Sequence, residues 1–126
     1  MDSGKKQKLY KKAAVLLERY EFSSLSVGYE YISEAIVYVI CNDIGVAGIT
    51  KTLYPYLAKK FCTSSTAVER AIRTAITDAC KNDNVFIRKL CNTKDGHIAH
   101  ITNKEFIYKS VKNVKMQLEI SNYDEY

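Results

Sequence analysis

The sequence predicts an all-α fold, a compact bundle of about six helices that contains a helix-turn-helix. Apolar residues recur at three- and four-residue steps through most of the 126 residues, and this is the periodicity of amphipathic helices. One proline and five glycines leave few interruptions, since these residues are the strongest breaks in regular structure. With 47% apolar and 26% charged residues, the chain has the composition and length of one globular domain.

Two helices are predicted in the first third of the chain. The first covers residues 8–21, and the second covers about 29–41, after a linker interrupted by serine and glycine. The β-branched run from Ile36 to Ile40 leaves a strand as an alternative at the end of the second helix. The helical spacing of its apolar residues and the polar residues Ser33 and Glu34 favour the helix.

A proline divides the next helical segment. After a turn at residues 42–48, the apolar pattern continues over residues 49–61, but Pro55 lies within it. Proline lacks a backbone donor and clashes with the preceding turn of a helix. We therefore expect a short helix that ends near Leu53 and a new helix that begins at Pro55, because proline suits a first helical turn.

A polar turn and a long amphipathic helix follow. The turn at residues 62–65 lacks the glycine often found between two such helices, and the helix covers residues 65–80. Thr63 or Ser64 is expected to cap it, because a hydroxyl accepts from the free amides of a first turn. Two helices joined in this way predict a helix-turn-helix, whose second helix enters the DNA major groove.

The C-terminal third continues the helical pattern. A short helix is predicted over residues 85–90, an irregular loop over 92–102 and a last helix over about 103–119. The expected division of the chain is a flexible basic arm (1–8), a helical DNA-binding domain (9–120) and an acidic tail (121–126).

Positive charge is concentrated around the predicted helix-turn-helix. The net charge is +5, and residues 51–90 hold eight basic and three acidic residues. Residues 13–50, in contrast, hold one basic and five acidic residues. Such a patch is typical of a surface that binds phosphate groups, although a solvated charged surface has the same composition.

The outward face of the helix at 65–80 has side chains suited to base recognition. Arginine donates to O6 and N7 of guanine together, and glutamate accepts from cytosine N4 or holds an arginine in place. Lysines and hydroxyls suit phosphates, which fix the register of a protein on DNA. An ordinary helical hairpin with solvated or salt-bridged arginines is the alternative. We expect base contacts from Thr66, Glu69, Arg70, Arg73 and Thr74, and phosphate contacts from Lys51, Lys59, Lys60, Ser64, Ser65 and Thr77.

No other chemistry has a comparable pattern in this sequence. The four cysteines lack the close spacing of a zinc site and are expected to be buried, reduced thiols. His97 and His100 lie in a loop that contains Gly96, so no metal is expected, and neither a cofactor nor catalysis is expected without a supporting motif. The chain has no apolar stretch of membrane-spanning length and no signal peptide, which predicts a cytoplasmic protein.

Two segments, YPYLAKKF at 54–61 and VERAIR at 68–73, resemble the C-terminal DNA-binding domain of the master sporulation response regulator of spore-forming Firmicutes. The resemblance extends through GYEYISEAI, CNDIGVAG and ITNKEFIYKSVKNVKMQLE, and it covers about Leu9 to Glu119. It implies an all-helical effector domain that reads a short promoter box, contacts the sigma subunit of RNA polymerase and binds adjacent boxes as a dimer. It also places Glu69, Arg70 and Arg73 on the recognition helix, with Thr66 near its start.

The chain departs from the pattern of that family at several points. Ala67 stands where the family has an arginine, Thr74 where it has a histidine and Ile101 where it has a proline. The missing cation at position 67 removes a potential base or phosphate contact, so the DNA preference or the affinity is expected to differ.

The chain also lacks the receiver domain of the full-length regulator, and we expect an excised domain or a stand-alone relative. The alternative function is a protein-interaction module that antagonises or heterodimerises with a homologous regulator without reading DNA itself.

Overall fold

The computed structural model describes residues 3–82, 84–91 and 101–124. These residues form α-helices and one π-helical turn, with no strand among them, and the predicted all-α bundle is confirmed. None of the described helices is long and apolar enough to cross a membrane. The elements are α1 (Ser3–Arg19), α2 (Val27–Asn42), the π-helical turn (Ile49–Leu53), α3 (Tyr54–Lys60), α4 (Ser65–Cys80), α5 (Val85–Cys91) and α6 (Asn103–Asp124).

Helix α2 is the centre of the bundle and packs against α1, α4 and α6. Because neighbouring helices cover α2 on several sides, apolar residues are needed around most of its circumference. The contrast between an apolar and a polar side is therefore weak in this part of the sequence. Ile32 and Ile36 are fully buried, and each such side chain contributes about 1.5–3 kcal/mol relative to an exposed position. The β-branched run at its end is helical, so the strand alternative is wrong.

Aromatic side chains close the bundle between the end of α1 and α6. The ring of Phe106 on α6 lies 5.8 Å from the ring of Tyr20 and 5.3 Å from that of Phe22, between centroids. All three residues are buried. Tilted and edge-to-face pairs of this kind contribute about 0.5–1.5 kcal/mol beyond their buried area, so they anchor the segment that follows α1 to the C-terminal helix.

Three helices end in a left-handed residue that is not glycine. The φ angles are 61° for Glu21, 50° for Asp43 and 55° for Cys62. After α3, the amide of Thr63 donates to the carbonyl of Ala58 at 2.8 Å, which is the bond that closes a helix C-terminus in this geometry. Cys62 therefore occupies the turn position where the sequence lacks the usual glycine.

Pro55 lies in the first turn of α3, as predicted. The preceding π-helical turn ends with the Tyr54 amide donating to the carbonyl of Ile49, and both Ile49 and Leu53 are fully buried. The chain thus stays helical through this point, and proline takes a position where its missing donor costs little.

Both terminal helices are longer than predicted. Helix α1 begins at Ser3, so residues 3–8 extend this helix instead of forming a separate arm; lysine and glutamine are good helix formers, and no break follows Gly4. Helix α6 continues to Asp124, into the segment expected to be an acidic tail. Of the predicted loop at 92–102, residues 92–100 lie outside the described residues.

Candidate nucleic-acid interface

Helices α3 and α4 form the helix-turn-helix. Leu57 of α3 and Val68 and Ile72 of α4 are fully buried, and the small side chain of Ala58 is nearly so, which lets the two helices approach closely. The turn between them is closed by the Ser64 side chain, whose Oγ accepts from the amide of Ala67 at 3.1 Å. Of the two predicted caps, Ser64 is the one that the structure uses, and such a cap contributes about 1 kcal/mol.

Helix α4 is also seated on α2, at Gly28. A Cβ atom added to Gly28 would meet the carbonyl oxygen of Ala71 and would lie 2.6 Å from the Cβ of Ala75. Only glycine allows the two backbones to come this close. The orientation of α4 is therefore set by both α2 and α3.

The outward side of α4 carries the residues Thr66, Glu69, Arg70, Arg73 and Thr74, which we call the reading face. All are exposed except Glu69, which is half-buried. The carboxylate of Glu69 accepts from the guanidinium of Arg73, one helical turn further on. Arg70 differs, because within the described part of the chain its guanidinium has no hydrogen-bond or ion-pair partner. The reading face thus presents one unpaired arginine and one arginine held by glutamate.

The start of α6 lies directly beside the reading face. The Asn103 side chain donates to the carbonyl of Glu69 at 3.0 Å, and the buried side chain of Ile101 precedes it. A cleft of about 660 Å³ separates the two helices here. This side cleft is lined by Thr50, Tyr54, Glu69, Arg73, Ile101, Thr102, Asn103 and Lys104.

Some of the side chains predicted to contact phosphates are exposed without a described partner, and others already bond to groups of the protein. Lys51, Lys59 and Ser65 are exposed. The hydroxyl of Thr77 donates to the carbonyl of Arg73 at 2.9 Å, and the exposed Ser64 caps α4. Lys60 was expected to point outward with Lys59, but its ammonium lies 2.8 Å from the carboxylate of Glu34.

Glu34 on α2 is the buried acceptor of a cluster whose donors are partly exposed. Its side chain is 10% exposed, and it accepts from Lys60 at 2.8 Å, from the Tyr10 hydroxyl at 2.7 Å and from the Tyr56 hydroxyl at 3.1 Å. Burial alone would raise the pKa of Glu34, but the hydrogen bonds from Lys60 and Tyr10 outweigh it and hold that pKa below its ordinary value. Glu34 therefore ties α1, α2 and α3 together as an ionised acceptor.

The cysteines do not form a site within the described residues. Cys41, Cys62 and Cys80 are reduced thiols. The expectation of buried cysteines holds for Cys80 but is wrong for Cys62, which is exposed because it forms the helix-turn-helix turn. Among the described residues no group of three potential ligands could hold a metal ion. The side chain of Cys91 and both histidines, His97 and His100, lie outside the described part.

The family model described as Sporulation initiation factor Spo0A C terminal matches residues 14–114. The chain belongs to this family. The Spo0A C-terminal domain is the DNA-binding helix-turn-helix effector domain of a sporulation regulator and is not an enzyme family. The matched segment begins within α1 and ends within α6, so the whole helix-turn-helix lies inside it and the predicted resemblance is confirmed.

The predicted DNA contacts do not include the residues at the start of α6, although these residues lie beside the reading face. Lys104 and Thr102 line the same cleft as Arg73, but more than twenty residues separate them along the chain. The one local signal was the order Thr102, then Glu105, ahead of an apolar run, which marks a helix N-terminus. The Thr102 hydroxyl does accept from the Glu105 amide, at 3.2 Å. That signal predicts where α6 begins, but not which helix it packs against.

Proposed function

We propose that this chain is a sequence-specific DNA-binding transcription regulator in which α4 enters the major groove. The family supports DNA binding, and the observation that carries the finer proposal is Arg70. Its guanidinium is exposed and unpaired among the described residues, on a helix held in place by α2 and α3. Arginine in this situation is suited to the paired acceptors O6 and N7 of guanine.

The other members of the reading face have supporting roles in this proposal. Glu69 holds Arg73, so the second arginine reaches the groove as part of an ion pair, and the exposed hydroxyls Thr66 and Thr74 contact neighbouring base edges. Among the lysines, Lys51 and Lys59 are exposed and take backbone phosphates, as do the exposed Ser64, Ser65 and Thr77. Lys60 shares its charge with Glu34, so it is the weaker phosphate ligand of the two lysines at the end of α3.

Two further partners follow from the family resemblance and belong to the same proposal. We propose that copies of the chain bind adjacent boxes as a homodimer and that the DNA-bound protein contacts the sigma subunit of RNA polymerase. Measuring the protein-to-DNA ratio on duplexes with one box and with two boxes tests the first of these. A ratio that does not change between the two duplexes would contradict it.

Binding by Arg70 variants tests the central assignment. On a duplex of preferred sequence, Arg70→Ala is expected to weaken binding by about 1–3 kcal/mol and to relax the preference at one base pair. Arg70→Lys is the matched control, because it keeps the positive charge but loses the planar fork that binds guanine. We expect Arg70→Lys to lose the same base preference while it keeps more of the affinity than Arg70→Ala.

An unchanged affinity and an unchanged preference in both variants would contradict base reading by Arg70. If the wild-type chain itself shows no binding to any duplex but associates with a homologous regulator, the protein-interaction alternative would be supported instead. A gel-shift competition between this chain and the full regulator on one promoter box separates the two functions. A DNA-binding chain displaces the regulator and gives a shifted band of its own, whereas an interaction module gives no band of its own.

A further inference from the structure

Lys104 is a cation beside the reading face that no predicted contact includes. It is exposed, and it lies at the second position of α6. No described residue accepts a hydrogen bond from its ammonium or pairs with it. It lines the side cleft together with Arg73 of α4 and with the exposed hydroxyls of Thr50 and Thr102.

We propose that Lys104 binds a backbone phosphate of the DNA strand that borders the bases read by α4. The proposal rests on the proposed function, since it needs α4 to lie in the groove. A duplex whose base edges face Arg73 brings one of its backbones past the other wall of the same cleft, which is the start of α6. A lysine acts there as a point charge that attracts phosphate without selecting a sequence.

The start of α6 is held firmly enough to place that charge. Asn103, the neighbour of Lys104, donates to the backbone carbonyl of Glu69 at 3.0 Å and is itself buried. Ile101 on one side and Phe106 on the other are buried in the core. Residues on both sides of Lys104 therefore fix its backbone relative to α4, and only its flexible side chain moves to meet a phosphate.

The acidic residue that lines the cleft is already paired with an arginine. The carboxylate of Glu69 lines the same cleft but is paired with Arg73. The Glu69–Arg73 pair leaves the Lys104 ammonium as the unpaired charge of the cleft among the described residues. The two hydroxyls at the rim, those of Thr50 and Thr102, are neutral groups that can also donate to a phosphate oxygen.

Salt dependence of DNA binding by Lys104→Ala tests this proposal. Each neutralised phosphate contributes about 0.9 to the slope of log K against log salt. Losing one contact should therefore lower the ratio of the Kd values at about 200 mM and about 50 mM salt by about 3.5-fold. The affinity should fall by the same factor on a preferred duplex and on an unrelated one, because phosphates carry no sequence information.

Two variants are matched controls for this measurement. Lys104→Arg keeps the charge and is expected to keep the wild-type slope. Lys115→Ala removes another exposed lysine from the same helix, about three turns further along, and is expected to leave the slope unchanged. In addition, ethylation of single phosphates should show one position that interferes with binding of the wild type but not of Lys104→Ala.

If Lys104→Ala kept the wild-type slope of log K against log salt, the proposal would be overturned. The same holds if Lys104→Ala and Lys115→Ala reduced that slope equally. Failure of the proposed function has a different signature. In that case Arg70→Ala would leave the base preference unchanged, whatever the Lys104 variants do.

Discussion

Lys60 and Glu34 show how one contact changes the role expected of a residue. The sequence places Lys60 next to Lys59 on the outward side of α3, where both suit phosphates. In the structure Lys60 instead supplies the charge that balances the buried carboxylate of Glu34. A buried carboxylate without its partner is strongly unfavourable. Lys59, which is exposed, is therefore the better candidate for a phosphate contact from α3.

The Glu34 cluster predicts a particular dependence of stability on pH. Because the folded-state pKa of Glu34 is below its ordinary value of 4.5, ionised Glu34 stabilises the fold fully above that value. This stabilisation is lost as the pH falls through the lower folded-state pKa. On the alkaline side, hydrogen bonding to Glu34 raises the pKa of Lys60 above 10.5, so its contribution is lost only when the pH rises through that higher pKa.

Glu34→Gln tests this dependence by urea unfolding. At neutral pH we expect a loss of about 1.5–3 kcal/mol, the range for hydrogen bonds to a charged group. The difference from the wild type should shrink as the pH falls below about 4.5, since protonation then removes the same charge from the wild type. Glu30→Gln, an exposed position on the same helix, is the control. Parallel curves for both variants at all pH values would contradict the role assigned to Glu34.

Among the elements, α4 depends on its contact with α2. Gly28 begins the contact, since a side chain there would meet the backbone of Ala71 and the side chain of Ala75. A small shift of α4 at this point would change how the reading face enters a groove. Gly28 therefore sets the position of α4 relative to α2, and the proposed recognition by α4 depends on that position.

Gly28→Ala is expected to destabilise the fold by about 1–3 kcal/mol, the usual cost of overpacking, and to weaken DNA binding. Gly45→Ala is the matched control, because a Cβ at Gly45 has no neighbour within 4 Å. It should change stability by less than about 1 kcal/mol. Thermal unfolding of the two variants and DNA titrations at one salt concentration measure both effects. Equal stabilities for the two variants would show that the α2–α4 contact accommodates an added methyl group, which would contradict this prediction.

Elements whose form depends on neighbouring residues were predictable from the sequence. Pro55 located the start of α3, the hydroxyls before α4 located its cap, and the apolar spacing of α4 located its buried side. In each case the determining interactions lie within one or two helical turns. The start of α1 and the end of α6 were less predictable, because no residue there gives a strong boundary signal and helix ends depend on small differences in propensity.

For the whole molecule, the bundle brings together residues that the sequence keeps apart. The bond from Lys60 to Glu34 spans 26 positions, and the bond from Asn103 to Glu69 spans 34. Neither could be predicted from local spacing, because each depends on which helices the core places side by side. The candidate residues of the reading face were predictable from the pattern of one helix. The bond between Lys60 and Glu34, and the cleft that Lys104 shares with Arg73, were not predictable in this way.

The distribution of charge along the chain agrees with a DNA-binding surface around the helix-turn-helix. Eight of the basic residues lie in residues 51–90, which include the helix-turn-helix, while the segment before it is acidic. Charge attracts any duplex and by itself carries no sequence preference. In the proposed function the sequence preference comes from α4, where the resemblance implies that Ala67 and Thr74 replace an arginine and a histidine.

Selection of binding sites from a pool of random duplexes, at one stated salt concentration, tests the central claim most directly. We expect the wild type to enrich a short sequence that contains guanine at the position read by Arg70, and we expect Arg70→Ala to lose the preference for that guanine. The enriched sequence need not equal the usual box of the family, because of Ala67 and Thr74. A pool that stays random while the folded protein retains DNA, or that is not retained at all, would contradict sequence-specific reading by α4.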